Sequence, residues 1–298
     1  RHELQAETFA LQRESIGATE AGLGLNEFGV GLSGVYENIN AFGGGETFQL
    51  RASASVATGL DSTLVSSNQF EGSASLILPY LIRPFQGLDR TFGLSDARTR
   101  LSLTALTALR SDLGLRIRSR VNARLRLEMD HTPTQSSLVD VVDLSVSNPD
   151  TLDQFSRKFL DRVFGPSGGD LQDPVQRQQI LEDYTQPQVN TAVRYTFRDA
   201  TANPLRRRGG HIYEASAEVG NTIPLLLDRL VYAPDSMNYA LPSLFDGGLT
   251  GRLLYRPYVR ASVDLRRYVP LGEGTTLGLK LFGGLAHPTG RPTVVPLD

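Results

Sequence analysis

Two glycine-containing motifs in this sequence have the spacing of cofactor-binding or catalytic loops. Gly29, Gly31 and Gly34 spell G-x-G-x-x-G, which binds dinucleotides where it joins a strand to a helix. No helical pattern follows them, and they lie within an alternating strand, so coincidence is the favoured interpretation. Residues 165–169 read GPSGG, the spacing of a nucleophile elbow, but without the flanking strand and helix that such an elbow needs. We interpret this second motif as a loop.

The other reactive side chains form no recognisable site. The four histidines, His2, His131, His211 and His287, are scattered without i, i+4 partners, which argues against a zinc site. Residues 205–208 (LRRR) could contact anionic lipid headgroups, but a solvated turn is the more common meaning of such a cluster. We therefore expect no catalytic residue, cofactor or metal, and we do not expect an enzyme.

Composition narrows the function classes further. A net charge of −2 over 298 residues provides no basic field for nucleic acid. No run of eighteen apolar residues is present, so the sequence has no transmembrane helix. Transmembrane strands remain compatible with 40% hydrophobic residues, because in a barrel each lipid-facing residue alternates with a polar one. The absence of cysteine fits an envelope protein.

Residues 113–129 (LGLRIRSRVNARLRLEM) are the most informative stretch. The odd positions are mostly apolar, and the even positions carry five arginines, a period of two that is typical of a strand with one apolar and one charged face. At ~3.3 Å per residue the stretch would extend roughly 56 Å, well beyond a usual globular strand. Transmembrane barrels use such lengths. We therefore predict that five side chains face a wet lumen: Arg116, Arg118, Arg120, Arg124 and Arg126.

Similar alternation recurs along the chain and predicts an all-β fold, a transmembrane antiparallel β-barrel of which about eleven strands are present. The predicted strands cover residues 5–13, 26–38, 47–58, 70–78, 98–105, 113–129, 137–147, 189–198, 211–219, 258–268 and 276–286. Residues 148–187 interrupt the series with a polar excursion containing a short helix, which we expect on the extracellular side. Short and long connections tend to alternate, as in outer-membrane barrels.

Several segments resemble the BamA/TamA superfamily of outer-membrane assembly proteins, also called the bacterial surface antigen family. Residues 36–50 (YENINAFGGGETFQL) are similar to its first hairpin, and residues 70–85 (FEGSASLILPYLIRPF) to its strand ending in a proline and an aromatic residue. Residues 209–221 and 258–290 resemble consecutive later strands, so the resemblance covers nearly the whole chain, with the TamA-like branch closest. It implies a sixteen-strand barrel, of which residues 1–298 form the N-terminal two-thirds, preceded by POTRA repeats and followed by the final strands.

The resemblance also implies a function in the bacterial outer membrane. Client proteins would be inserted or secreted through a lateral gate, by strand addition at the first strand, whose edge would comprise Thr8, Phe9, Ala10 and Leu11. The partners would be outer-membrane lipid, client proteins and a periplasmic or inner-membrane assembly partner. Two alternatives remain open at this point. A lumen lined by arginines would suit a passive, anion-favouring channel, and related barrels also anchor fused enzymes.

Overall fold

The protein folds into a single large antiparallel β-sheet. The computed structural model describes residues 2–14, 26–59, 67–111, 114–153, 155, 181, 184–201, 209–232, 239–243, 251–272 and 275–289. Within them the strands are β1 (His2–Glu14), β2 (Asn26–Ile39), β3 (Thr47–Gly59), β4 (Ser67–Leu78), β5 (Asp96–Arg110), β6 (Leu115–Asp130), β7 (Gln135–Thr151), β8 (Gln188–Ala200), β9 (Gly210–Gly220), β10 (Ala240–Ser243), β11 (Gly251–Leu254), β12 (Tyr258–Gly272) and β13 (Thr275–Pro288).

The eleven long strands follow one another in chain order across the sheet. Each of β1 to β8 pairs antiparallel with the next strand, β9 pairs with β12, and β12 pairs with β13. β10 and β11 pair antiparallel in the connection that joins β9 to β12 in sequence. β11 also contacts β8 through one parallel bridge, Leu254 to Gln188. The described sheet is open, with β1 at one edge and β13 at the other. The all-β antiparallel prediction, with eleven alternating strands, is confirmed.

Helices occupy only short connections. α1 (Gln86–Phe92) lies between β4 and β5, while α2 (Thr222–Leu227) follows β9 and continues into one π-helical turn (Asp228–Tyr232). α1 sits at the end of the sheet, where Leu81 and the partly buried Leu88 belong to an apolar cluster with Leu127 and Met129 of β6. No described helix is long and apolar enough to cross a membrane.

The turn between β2 and β3 follows the glycine pattern of its sequence. Gly43 and Gly45 have φ angles of 92° and 86°, which residues other than glycine rarely adopt. The backbone N–H of Gly45 donates to the side-chain oxygen of Asn40 at 2.8 Å, and that of Gly44 to the carboxylate of Glu46 at 2.9 Å. Hydrogen bonds from the backbone lower the pKa of Glu46. The predicted tight reversal is confirmed.

One correction concerns the polar excursion. β7 continues to Thr151, pairing Pro149 with Ile117 and Asp150 with Arg116, so the excursion begins after residue 151 and not at 148. Most of its predicted helix lies outside the described residues. Sequence patterns also missed β10, β11 and both helices, because elements of four to seven residues are too short to establish a period.

The two faces of the sheet differ sharply in composition. We call one the apolar face; its large hydrophobic side chains are exposed and include Val30, Leu32, Val56, Phe70, Leu101, Leu103, Val121, Val193, Val219, Val263, Leu279 and Leu281. The opposite, polar face carries most of the charged strand residues, and its members include Arg120, Arg124, Arg126, Asp140, Asp143, Arg194, Glu218 and Asp264. Asp140, Asp143 and Glu218 are buried there. Exposed hydrophobic and buried charged residues are the reverse of a soluble protein's arrangement.

Two bulges keep the faces sorted where strict alternation would fail. In β7 the register shifts between Asp140 and Asp143, so that Val141 and Val142 together span a single step of the ladder. Arg126 faces Asp140 and Arg124 faces Asp143, which places both carboxylates on the polar face although they are three residues apart. A regular strand would have sent one of them to the opposite face.

The second bulge changes the direction of an arginine. The register of β6 shifts between Ile117 and Ser119, so Ile117 and Arg120 share the polar face. Arg116 pairs with Leu109, in the row that continues through Asn68 and Val56, and it therefore lies on the apolar face. This corrects the prediction that all five arginines of residues 113–129 share one face.

The β7 bulge generates a deletion test. Removing Val141 shortens the sequence to Asp-Val-Asp, which keeps both carboxylates on the polar face of a regular strand, so we expect a small effect on stability. Removing Leu144 forces Asp143 to the apolar face or flips the preceding residues, and we expect a loss of about 3 kcal/mol or more because a buried ion pair is broken. Urea unfolding of the protein folded in detergent micelles measures both, and equal losses would contradict the assigned bulge.

Candidate functional site

A row of charges of alternating sign crosses the polar face. Directly opposite one another on neighbouring strands stand Arg126, Asp140, Arg194, Glu218 and Arg260. The guanidinium of Arg126 donates two hydrogen bonds to the carboxylate of Asp140, at 2.6 and 3.0 Å. Arg194 lies 3.9 Å from Asp140 and donates to Glu218 at 2.8 Å. We call these five residues the charge row.

Further ion pairs flank the charge row on the same face. The Asp143 carboxylate accepts from Arg124 at 2.7 Å and from the side-chain amide of Asn122 at 2.8 Å. Arg100 donates to Glu128 at 3.0 Å, and Asp264 contacts Arg266 at 2.7 Å and Lys280 at 3.5 Å. The polar face therefore carries paired positive and negative groups and is not a surface of one sign.

The named arginines have different partners. Arg124 and Arg126 bind buried carboxylates, Arg120 donates to the Ser145 hydroxyl at 3.3 Å, and Arg118 pairs with Asp150 at 2.9 Å beside the bulge. Arg116 lies on the apolar face near the end of β6, as described above. Arg118, Arg124 and Arg126 are therefore oriented by protein carboxylates and are poorly disposed to bind passing anions.

Asp140, Glu214, Glu218 and Asp264 stand at polar positions of the predicted strands, whereas strict alternation assigns Asp143 to the face opposite that of Asp140. Asp143 follows two valines in the segment DVVD, a break in alternation that signals a bulge when it interrupts an otherwise regular strand. Arg194 was placed on the polar side of its strand, and the structure adds that it bridges two carboxylates. The bridging depends on the neighbours chosen by the fold, which no local pattern specifies.

Aromatic rings pack over glycines at two places on the polar face. A side-chain carbon added at Gly220 would fall within 2.0–2.5 Å of the Tyr258 ring, and one at Gly31 within 2.3 Å of the Phe9 ring. The hydroxyl of the fully buried Tyr258 donates to Glu218, which extends the charge row to the first residue of β12. Glycine is required at both positions because a larger residue would displace the ring.

The first strand occupies the sheet edge. Thr8, Phe9, Ala10 and Leu11 pair with Leu32, Gly31, Val30 and Gly29 of β2, respectively. Among the described strands β1 has no neighbour on its other side. The first strand therefore pairs with the strand predicted at residues 26–38, its neighbour in the sequence.

The excursion between β9 and β12 has a polar core of its own. Asp228 is fully buried, and one of its carboxylate oxygens accepts from the Tyr255 hydroxyl at 2.5 Å and from the Tyr239 backbone N–H at 3.0 Å. Burial and the neighbouring Asp228 carboxylate raise the pKa of Tyr255. Asn221 holds the excursion to the sheet, accepting from the Thr191 N–H and donating to the Arg256 carbonyl, both at 2.8 Å.

Of the motifs considered in the sequence, only the glycine series lies among the described residues. Gly29, Gly31 and Gly34 lie inside β2, as the strand interpretation required. Residues 165–169 and 205–208 lie outside the described residues. In the part of the chain that the structure describes, no three His, Asp or Glu side chains are grouped closely enough to hold a metal ion. No family model, curated protein or solved structure matches this chain. Membership in the resembling superfamily therefore stays a prediction.

The charge row can be tested at its most buried carboxylate. Asp140 is 2% exposed, and Asp140→Asn removes its charge while Arg126 and Arg194 remain in place. We expect a loss of about 3–5 kcal/mol, because one partner of a buried ion pair is removed. Asp96→Asn is the matched control, since this carboxylate is 59% exposed and its pair with Arg98 should contribute less than about 1 kcal/mol. Urea midpoints that fall equally for both variants would contradict the assigned role of the row.

Proposed function

We propose that this chain forms part of the wall of a transmembrane β-barrel in a bacterial outer membrane. The observation that carries the proposal is the inverted distribution of side chains, with exposed hydrophobic residues on one face and buried ion pairs on the other. Lipid acyl chains solvate exposed hydrophobic side chains more favourably than water does, and buried ion pairs are compatible with a polar lumen. An apolar face turned to water over so many strands would be a site of aggregation.

Strand length supports the same proposal. A transmembrane strand needs ~9–11 residues, and the long strands here contain from 11 residues in β9 to 17 in β7. The apolar-facing Arg116 lies at the second residue of β6, where a strand of 16 residues has passed beyond the hydrocarbon core. A cation at that level meets water or headgroups and escapes the cost that it would have at midplane.

The open edges suggest what the barrel does. Unpaired backbone N–H and C=O groups cost several kcal/mol each in lipid, so β1 and β13 need further strands beside them in a membrane. An edge that is closed only by a dissociable partner is a template for strand addition. We propose that β1 is one side of a lateral gate, through which client proteins are inserted or secreted, as the resemblance to the BamA/TamA superfamily implies. The partners are then lipid, client strands and a periplasmic or inner-membrane assembly protein.

The ionic network gives no support to the anion-channel alternative. Three of the arginines proposed to attract anions bind carboxylates of the protein: Arg118 binds Asp150, Arg124 binds Asp143, and Arg126 binds Asp140. The same pairs make Arg124→Leu unsuitable as a mild control for membrane insertion, because it would leave the buried Asp143 with fewer partners. A different pair of substitutions is therefore needed to test membrane insertion.

Adjacent residues of β5 provide that pair. Leu103 is exposed on the apolar face, and Thr104 lies on the polar face opposite Ser73 and Asn122. Leu103→Arg should destabilise the inserted protein by ~2–4 kcal/mol if the site is near midplane, while Thr104→Arg stays in the polar interior and should have little effect. Yields of heat-modifiable protein in isolated outer membranes measure the difference. A Thr104→Arg defect as large as that of Leu103→Arg would refute the membrane assignment of the faces.

The gate is tested by crosslinking in the natural full-length protein. This chain contains no cysteine, so Thr8→Cys or Ala10→Cys introduces a single thiol in β1. We expect disulfide crosslinks to a cysteine in the terminal strand of a nascent outer-membrane client, because that strand would pair with the free edge. Ser53→Cys in β3, which is flanked by β2 and β4, is the control and should form none. Crosslinks that form only to the protein's own last strand, at any client level, would rule out the gate.

A further inference from the structure

The short helix after β9 exposes an apolar stripe. Thr222–Leu227 and the π-helical turn Asp228–Tyr232 expose five large aliphatic side chains: Ile223, Leu226, Leu227, Leu230 and Val231. Leu230 alone is 73% exposed. The spacing of the first four is three, four and seven residues from Ile223, which aligns them on one side of a helical segment.

The buried side of this segment is polar and firmly held. Pro224 and Asp228 face inward, and Asp228 accepts hydrogen bonds from Tyr255 and Tyr239 as described above. Asn221, immediately before the helix, is fully buried with φ of 58° and binds Thr191 of β8 and Arg256, two residues before β12. The stripe is therefore presented outward by a fixed support, and exposure of five aliphatic side chains to water is unfavourable.

The level of the segment follows from the length of the strand before it. β9 has 11 residues and is the shortest of the long strands, just enough to cross a bilayer. Asn221 connects β9 to α2 with no intervening linker. If β9 spans the membrane, α2 must begin at the boundary between hydrocarbon and headgroups. Val219, exposed on the apolar face two residues before Asn221, continues the lipid-facing surface toward the stripe.

We propose that residues 222–232 form an interfacial membrane anchor whose aliphatic stripe inserts among lipid acyl chains. Such segments lie ~5–10 Å deep with polar residues toward the headgroups, a position open here to the exposed Arg229. The anchor rests on the proposed function, since it needs β9 to cross the bilayer. It fixes the height of the barrel wall at β8, β9 and β12, and it holds the connection between β9 and β12 against the membrane surface.

Single tryptophans test the anchor, because this chain contains none. Leu230→Trp reports on the stripe, Arg229→Trp on the adjacent polar position, and Val263→Trp on the middle of the apolar face in β12. Each variant of the natural full-length protein is reconstituted into phospholipid vesicles whose acyl chains are brominated either near the headgroup or near the chain end. Leu226→Trp repeats the measurement at a second position of the stripe.

The expected result is depth-dependent quenching. Fluorescence of Leu230→Trp and Leu226→Trp should shift to the blue and be lost more strongly to shallow bromine than to deep bromine, with Arg229→Trp quenched less. Val263→Trp should be quenched more by deep bromine. If Val263→Trp behaves so while Leu230→Trp is quenched by aqueous iodide and not by lipid, the anchor is refuted and the barrel stands.

Three further outcomes would each refute part of the proposal. Protection of Leu230→Trp from both iodide and bromine would mean that protein covers the stripe, which refutes a lipid anchor. Stronger quenching by deep than by shallow bromine would refute an interfacial position. No quenching of Val263→Trp by either lipid would overturn the transmembrane barrel, and the anchor with it.

Discussion

The fold depends on keeping charged groups on one face of a very wide sheet. The charge row shows how closely register and electrostatics are linked: Arg126, Asp140, Arg194 and Glu218 come from four neighbouring strands, and each faces the opposite sign. A slip of one residue in any of these strands would exchange its faces, placing a charge among exposed aliphatic side chains and orphaning two others. The row therefore specifies register at the centre of the sheet, as turns do at the ends.

The bilayer that we propose as the environment of the sheet would account for the strict sorting of its two faces. In water an exposed aliphatic face is unfavourable and an exposed ion pair contributes little, so nothing would select this arrangement. In lipid the apolar face would be solvated by acyl chains, every ladder hydrogen bond would be retained within the sheet, and most charges would lie on the side away from lipid. In lipid, the two outer edges of the described sheet, at β1 and β13, would leave backbone groups unpaired at a cost in free energy, which is why the proposed function centres on β1.

How much of this could be predicted from the sequence varies with the range of the interaction. Alternation over many residues predicts all eleven long strands, because a period of two is a local property of each segment. The same rule misplaced Arg116, since a bulge consumes one residue without changing composition. The same rule missed Asp143, which the β7 bulge brings opposite its partner Arg124. It also gave no indication of α2, because a helix of six residues is too short to show a period.

The most direct measurement of the central claim is the solvent around each face of β6. In the cysteine-free chain, single nitroxide labels at Val121, Ala123 and Leu125 should relax faster with oxygen, which concentrates in lipid, and labels at Arg120 and Asn122 should relax faster with a water-soluble nickel complex. The account predicts this alternation in the reconstituted protein, with a change of phase between Ile117 and Ser119. Equal access of the nickel complex to both sets of positions, or alternation of the opposite phase, would contradict it.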